Sequence, residues 1–146
     1  SDVNTLDDYE EGTWSMNPAF TISQSGSFTM TRNTGYHIKI GRLVHVQGWL
    51  SWSAKPSSGS TLYITLPFNA VAGDEYRRGF SLTYSELTLV GIHSYGMMIR
   101  TENNNTQALF NYSNAINGSM SYTLNAADLP SSTGGFMFSG SYVTAS

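Results

Sequence analysis

The stretch that decides the fold runs from Tyr36 to Ser53 and has the sequence YHIKIGRLVHVQGWLSWS. Apolar and polar residues alternate on both sides of Gly41, which is the pattern of two strands joined by a tight turn. Side chains two residues apart lie on the same face of a strand, so the alternation gives each strand one core face and one polar face. This segment therefore predicts a β-hairpin with one face in the core.

The register of this hairpin depends on the number of residues in its turn. A two-residue turn at Gly41-Arg42 would place Ile38 opposite His45, and so mix a core residue with a polar one. An odd loop of residues 40–42, with a left-handed glycine at its centre, instead pairs Ile38 with Val44. We therefore expect the odd loop.

The odd loop also assigns residues to the two faces. The expected core face consists of Trp14, Phe20, Ile38, Val44, Val46, Leu50, Trp52, Ile64 and Leu66. Lys39, Gln47 and Thr65 are expected to face away. The same register places His37 and His45 across the strands from each other, where two imidazoles could bind a transition metal. A third ligand is missing within the chain, although a three-fold axis could supply copies, and no metal site is predicted.

Short alternating runs continue along the rest of the chain, and no segment keeps a 3.6-residue period for ten residues. About ten strands without βαβ alternation predict an all-β fold, an antiparallel β-sandwich of the jelly-roll type. The length of 146 residues suits one domain, and neither an internal repeat nor a linker divides it. Residues 1–146 are therefore expected to form a single domain.

Composition limits the possible partners. Charged residues make up 12% of the chain, the net charge is −3, and no basic cluster is larger than Arg77-Arg78, so nucleic acid is not an expected partner. There is no cysteine, which excludes a disulfide or a thiolate metal site. No apolar stretch approaches the roughly 20 residues of a membrane span, so membrane insertion is not expected. The neutral surface, rich in Ser, Thr and Asn, is typical of sugar-binding or trimer-packing β-proteins.

Catalytic patterns are weak. The acidic residues Asp7, Asp8, Glu10 and Glu11 could ligate calcium or act as paired carboxylates, but they lack the spacing and the glycine of a calcium loop. Neighbouring residues of an extended run also point to opposite faces. The chain has no G-x-S-x-G motif and no cysteine nucleophile. We expect neither an enzyme nor a cofactor.

Four motifs occur in order along the chain: LDDYEEGTW at 6–14, YHIKIGRLV at 36–44, LPF at 66–68 and FSGSY at 138–142. Together they resemble the distal domain of bacteriophage tail fibres and tailspikes. The resemblance implies a homotrimeric β-sandwich head at the fibre tip of the virion, with residues 1–12 as an extended lead-in from the shaft. It also implies contact with a bacterial surface polysaccharide or an outer-membrane protein. Contact loops diverge between relatives, so the resemblance transfers no site residue.

Trp49 is the one tryptophan whose parity turns it away from the expected core. It could stack on a sugar ring, or it could pack against a neighbouring subunit or a covering loop, and for an oligomeric fibre we favour packing. If the domain binds a glycan, we expect contact from Trp49, with Gln47, Tyr63 and Tyr95. The sequence thus leaves two hypotheses, a glycan-binding attachment module and a purely structural cap that trimerises the fibre.

Overall fold

The computed structural model describes residues 8–73, 78–85, 97–102, 105–112 and 122–145. Its strands are β1 (Tyr9–Ser15), β2 (Ala19–Ser25), β3 (Thr29–Arg32), β4 (Thr34–Ile40), β5 (Leu43–Ala54), β6 (Ser58–Thr65), β7 (Gly79–Ser85), β8 (Met97–Thr101), β9 (Gln107–Tyr112), β10 (Tyr122–Thr123) and β11 (Gly134–Val143). One 3₁₀ turn, Ala126–Asp128, is the only helical segment in these ranges. No helix in the described part of the chain is long and apolar enough to cross a membrane. The all-β prediction is confirmed.

The strands pair antiparallel in the order β1-β4-β5-β11-β7-β8-β9-β6-β2, with β3 beside β5 and β10 beside β9. This path is one continuous sheet that curls into a half-barrel around the core. Two separately stacked sheets, as in a sandwich, are not confirmed. The curl brings β1 close to β6: the Trp14 indole N–H donates to the carbonyl oxygen of Thr65 at 2.7 Å, and the Thr65 amide donates to the carbonyl of Met16 at 2.7 Å.

The β4–β5 hairpin has a two-residue turn, so the odd-loop prediction is wrong. Ile40 lies opposite Leu43, and Ile38 lies opposite His45. Gly41 has a φ of +57°, and a glycine at the first turn position is what a type II′ hairpin turn favours. Ile38 is consequently 41% exposed on the outer face.

The inner face of the same hairpin therefore contains residues that were expected outside. Lys39 lies opposite the buried Val44, and its Nζ is 5.5 Å from the centroid of the Phe68 ring. His37 is only 8% exposed. The physical reason is that an aromatic lining covers this part of the inner face and accepts a lysine stem and an imidazole, so polarity alone does not mark the outer face.

His37 lies between two aromatic rings, with its ring centroid 5.2 Å from that of Phe68 and 6.3 Å from that of Trp14. Neither ring nitrogen has a hydrogen-bond partner among the described residues, and the Glu10 carboxylate is 3.9 Å from Nε2. His45 is on the outer face, with Nδ1 3.0 Å from the Ser141 hydroxyl. The two histidines lie on opposite faces and cannot share a metal, so their predicted pairing is wrong.

The rest of the core prediction agrees with the structure. Phe20, Val44, Val46, Leu50, Trp52, Ile64 and Leu66 are buried, and Trp14 is half-buried against them. Gly35 makes room for Trp14, because a methyl group at Gly35 would lie 2.4 Å from the indole. Gln47 is exposed as predicted, and Thr65 is half-buried with its hydroxyl donating to the Met16 carbonyl at 2.8 Å.

The LPF motif is held by a buried tyrosine of β11. The Tyr142 hydroxyl donates to the carbonyl of Phe68 at 3.0 Å and accepts from the Phe68 amide at 3.2 Å. Burial raises the pKa of Tyr142 well above its ordinary value of 10.0. These two hydrogen bonds fix the turn against the sheet and place the Phe68 ring beside His37.

Candidate ligand-binding face

The outer face is the surface of β1, β4, β5 and β11 that is turned away from the core. Its exposed large apolar side chains are Tyr9, Tyr36, Ile38, Ile40, Leu43 and Trp49. Strand pairing divides five of them between two ends, and Ile38 lies between these ends on β4. Tyr9, Ile40 and Leu43 are adjacent across three strands and form the turn end, whereas Tyr36 and Trp49 belong to the aromatic end.

The register of three strands builds the aromatic end. Gln47 of β5 lies opposite Tyr36 of β4 on one side and opposite Ser139 of β11 on the other. Trp49, two residues further along β5, lies opposite Met137. These five side chains line a depression of about 310 Å³, which we call the central depression.

Two further depressions adjoin the central one. The first has a volume of about 380 Å³, and its side chains include Glu11, Thr13 and Ile38; we call it the Glu11 depression. The second has a volume of about 390 Å³ and is lined by residues 31–34 together with Tyr36 and Trp49; we call it the Arg32 depression. Tyr36 lines all three, so the depressions adjoin at this residue, and we call the three together the band.

One cation belongs to this band. The guanidinium carbon of Arg32 lies 3.7 Å from the centroid of the Trp49 ring, which is a cation–π contact. Arg32 ends β3, and the pairing of β3 with β5 is irregular between Met30 and Arg32. This irregularity at the β3–β4 junction accompanies the placement of the arginine over a tryptophan of the neighbouring strand.

Two of the four predicted contact residues come together. Trp49, 38% exposed, and Gln47 both line the central depression. Tyr63 is on β6, half-buried, and lines none of the three depressions, because four strands separate β6 from β5 in the sheet order. Tyr95 lies outside the described residues.

Sequence reasoning missed Tyr36 and Arg32. The odd loop would have turned Tyr36 inward, whereas a two-residue turn with glycine first predicts its outward position. That turn chemistry was the signal that could have found it. No periodic pattern marks Arg32, because its position over Trp49 depends on the irregular pairing of β3 with β5.

The band offers stacking and hydrogen bonding. Among the residues that line the three depressions, Glu11 is the only carboxylate. It accepts a hydrogen bond from the Tyr9 hydroxyl, and this bond raises the pKa of Tyr9 above its ordinary value of 10.0. Within the described ranges, no three His, Asp or Glu side chains come together as metal ligands.

Comparison with models of protein families finds no match to this chain, and comparison with curated proteins finds none either. The function is therefore inferred from the geometry of the outer face and from the motifs in the sequence.

Proposed function

We propose that this chain is a tip domain of a phage tail fibre or tailspike, which attaches the virion to its host by binding a surface glycan on the outer face. The observation that carries the proposal is the band of three adjoining depressions around the exposed ring of Tyr36. The order of the four sequence motifs supports the assignment to a fibre tip. An outer-membrane protein is the other receptor that the resemblance allows.

Aromatic rings and neutral polar groups are suited to sugars. A sugar ring has apolar C–H faces that stack on aromatic rings, and hydroxyl groups around its edge that exchange hydrogen bonds with amides and hydroxyls. Tyr36 is 57% exposed, which leaves ring surface for such stacking. The exposed side chains of Gln47, Thr13 and Ser139 have no hydrogen bond to another described residue, and they can therefore bind sugar hydroxyls.

The shape of the band favours an extended ligand over a single sugar. A monosaccharide would occupy one depression, whereas three depressions adjoin at Tyr36. Successive sugar units of a polysaccharide could occupy them in turn. This arrangement fits a capsular or lipopolysaccharide chain better than a free monosaccharide.

The purely structural cap is a second candidate, and the turn end favours it. Tyr9, Ile40 and Leu43 are adjacent across β1, β4 and β5, and Leu43 is 53% exposed. A contiguous row of exposed apolar side chains is typical of an interaction surface. We propose that the turn end packs against neighbouring subunits of a homotrimer, which leaves the aromatic end for the receptor.

Glycan-array binding of the whole chain tests the attachment function. Tyr36→Ala and Trp49→Ala should each weaken binding about tenfold or more, equivalent to about 1.4 kcal/mol. Tyr63→Ala is the matched control, because it removes an aromatic ring that lines none of the depressions. Normal binding by both outer-face variants would exclude the outer face as the glycan site. Binding to purified outer-membrane proteins but to no glycan would assign the receptor to that class.

Sedimentation of the same variants tests the structural cap. The parent chain should be a trimer at micromolar concentration, and Leu43→Glu should dissociate it, because a carboxylate would be buried in an apolar contact. Trp49→Ala should remain trimeric. A parent chain that is monomeric would exclude the trimer, and a Trp49→Ala variant that dissociates would assign Trp49 to the subunit interface.

A further inference from the structure

We propose that the glycan is acidic and that Arg32 binds its anionic group, a carboxylate or a phosphate, in the Arg32 depression. This inference rests on the proposed glycan-binding function and adds the chemical class of the sugar. Only 12% of the residues are charged, so the composition by itself would predict a binding site of neutral groups. The proposed arginine contact differs from that prediction.

The stacking of Arg32 leaves its donors available. A guanidinium is planar, and its N–H groups point outward in that plane. The guanidinium carbon lies 3.7 Å from the centroid of the Trp49 ring, and an indole ring is not a carboxylate or carbonyl acceptor for the N–H groups. Arg32 has no ion pair or side-chain hydrogen bond to any described residue. A charged donor set is therefore exposed without an acceptor among the described residues.

The other polar groups of the depression are mostly occupied. The hydroxyls of Thr31 and Ser51 are 2.8 Å apart. The Asn33 side chain donates to the Asn17 side chain at 2.8 Å and accepts from the Asn17 amide at 2.7 Å. These contacts hold the chain on both sides of Arg32 in place. Together with the stacking on Trp49, they restrict the arginine before a ligand arrives, which reduces the entropy lost on binding.

The distribution of charge also predicts how a polysaccharide would be oriented in the band. Within the described part of the chain, no acidic residue lines the Arg32 depression, whereas Glu11 lines the depression on the other side of Tyr36. An anionic group is attracted to the first and repelled from the second. A polysaccharide would therefore lie with its acidic group at Arg32, a sugar ring against Tyr36, and a neutral or amino sugar near Glu11.

The test uses the full chain and immobilised acidic polysaccharides, each paired with its neutral derivative. Uronic acid polymers are compared with their carboxyl-reduced forms, and phosphorylated polymers with their dephosphorylated forms. The parent should prefer at least one acidic form, and Arg32→Gln should weaken binding to that form about tenfold, a much larger factor than for the neutral derivative. Raising salt from about 0.05 to about 0.5 M should weaken binding of the parent to the acidic polysaccharide and leave its binding to the neutral derivative nearly unchanged, because ions screen exposed charge pairs.

Two control variants distinguish the effect of the Arg32 charge from a general loss of positive charge and from the shape of the guanidinium. Lys55→Gln removes the same charge from a residue that lines none of the depressions, and it should bind like the parent. Arg32→Lys keeps the charge but loses the planar fork, so it should retain part of the acidic preference. Both Arg32 variants should keep the melting temperature of the parent, since Arg32 is exposed.

The possible failures are distinguishable. If the parent binds acidic and neutral forms equally, or if Arg32→Gln matches Lys55→Gln, the acidic site is excluded while glycan binding stands. If the parent binds no glycan, or if Tyr36→Ala and Trp49→Ala bind normally, the proposed function itself fails, and the acidic site fails with it.

Discussion

The two faces of the β4–β5 hairpin are both rich in apolar residues, but only one of them is packed. On the inner face Val44, Val46, Leu50 and Trp52 are completely buried. On the outer face Tyr36, Ile38 and Trp49 remain exposed. Apolar side chains of one hairpin thus lie in two different environments, the core and the exposed surface, and alternation alone does not separate them.

Two tryptophans of β5 illustrate the difference. The Trp52 ring is surrounded, with centroid distances of 5.3 Å to Phe28 and 5.8 Å to Phe136. Trp49, three residues earlier and therefore on the opposite face, contacts the exposed Arg32. Trp52 is therefore expected to contribute to stability, whereas Trp49 is a candidate for the proposed binding.

The largest expected difference between the two faces is in the free energy of unfolding when each of these tryptophans is replaced by alanine. Trp52→Ala should lower the free energy of unfolding by about 3–5 kcal/mol, because it leaves a large cavity in the core. Trp49→Ala should lower it by less than about 1 kcal/mol. Denaturant unfolding of both variants at one protein concentration measures the difference. Equal losses would mean that Trp49 is also packed in the folded assembly.

Polar substitution of one residue on each face checks the register. Val46→Thr should cost about 1–3 kcal/mol, because it places a hydroxyl in the core without an assured hydrogen-bond partner. Ile38→Thr should change the free energy of unfolding by no more than about 0.5 kcal/mol, since Ile38 is outside. The same unfolding experiment applies. A loss for Ile38→Thr as large as that for Val46→Thr would contradict the two-residue turn and support the odd loop.

The inner face should also respond to alkaline pH. Burial raises the pKa of Tyr142 in the folded state, so its stabilising contribution is complete below the unfolded pKa of about 10 and is lost as the pH rises above that value. Tyr142→Phe should cost about 1 kcal/mol at neutral pH, through the lost hydrogen bonds to Phe68, and should make stability fall less steeply above pH 10.

Tyr9 on the outer face could contribute to the same loss of stability at alkaline pH and must be controlled for. Its pKa is also raised, by the hydrogen bond to Glu11, so its contribution is lost in the same direction. Tyr9→Phe measured alongside Tyr142→Phe separates the two tyrosines. An alkaline loss that is unchanged in Tyr142→Phe would show that the buried hydroxyl does not control it.

Much of the fold could be predicted from the order of residues. Short alternation without a helical period predicts strands, and the parity of Val44, Val46, Leu50 and Trp52 predicts one buried face. Parity also predicts that Trp49 lies on the other face. These inferences succeed because side-chain direction along a strand is a local property of the backbone.

Tertiary structure alone decided the remaining features. A glycine at the first turn position favours the two-residue turn, but only the tertiary contacts show that this turn is accepted with Ile38 exposed and His37 buried. His37 is tolerated inside because Trp14 and Phe68, distant in sequence, surround it. Arg32 reaches Trp49 because β3 pairs irregularly with β5. Parity determines only that two side chains face opposite ways. Which of the two faces is covered depends on contacts between residues far apart in the chain, and those contacts do not appear in any local pattern.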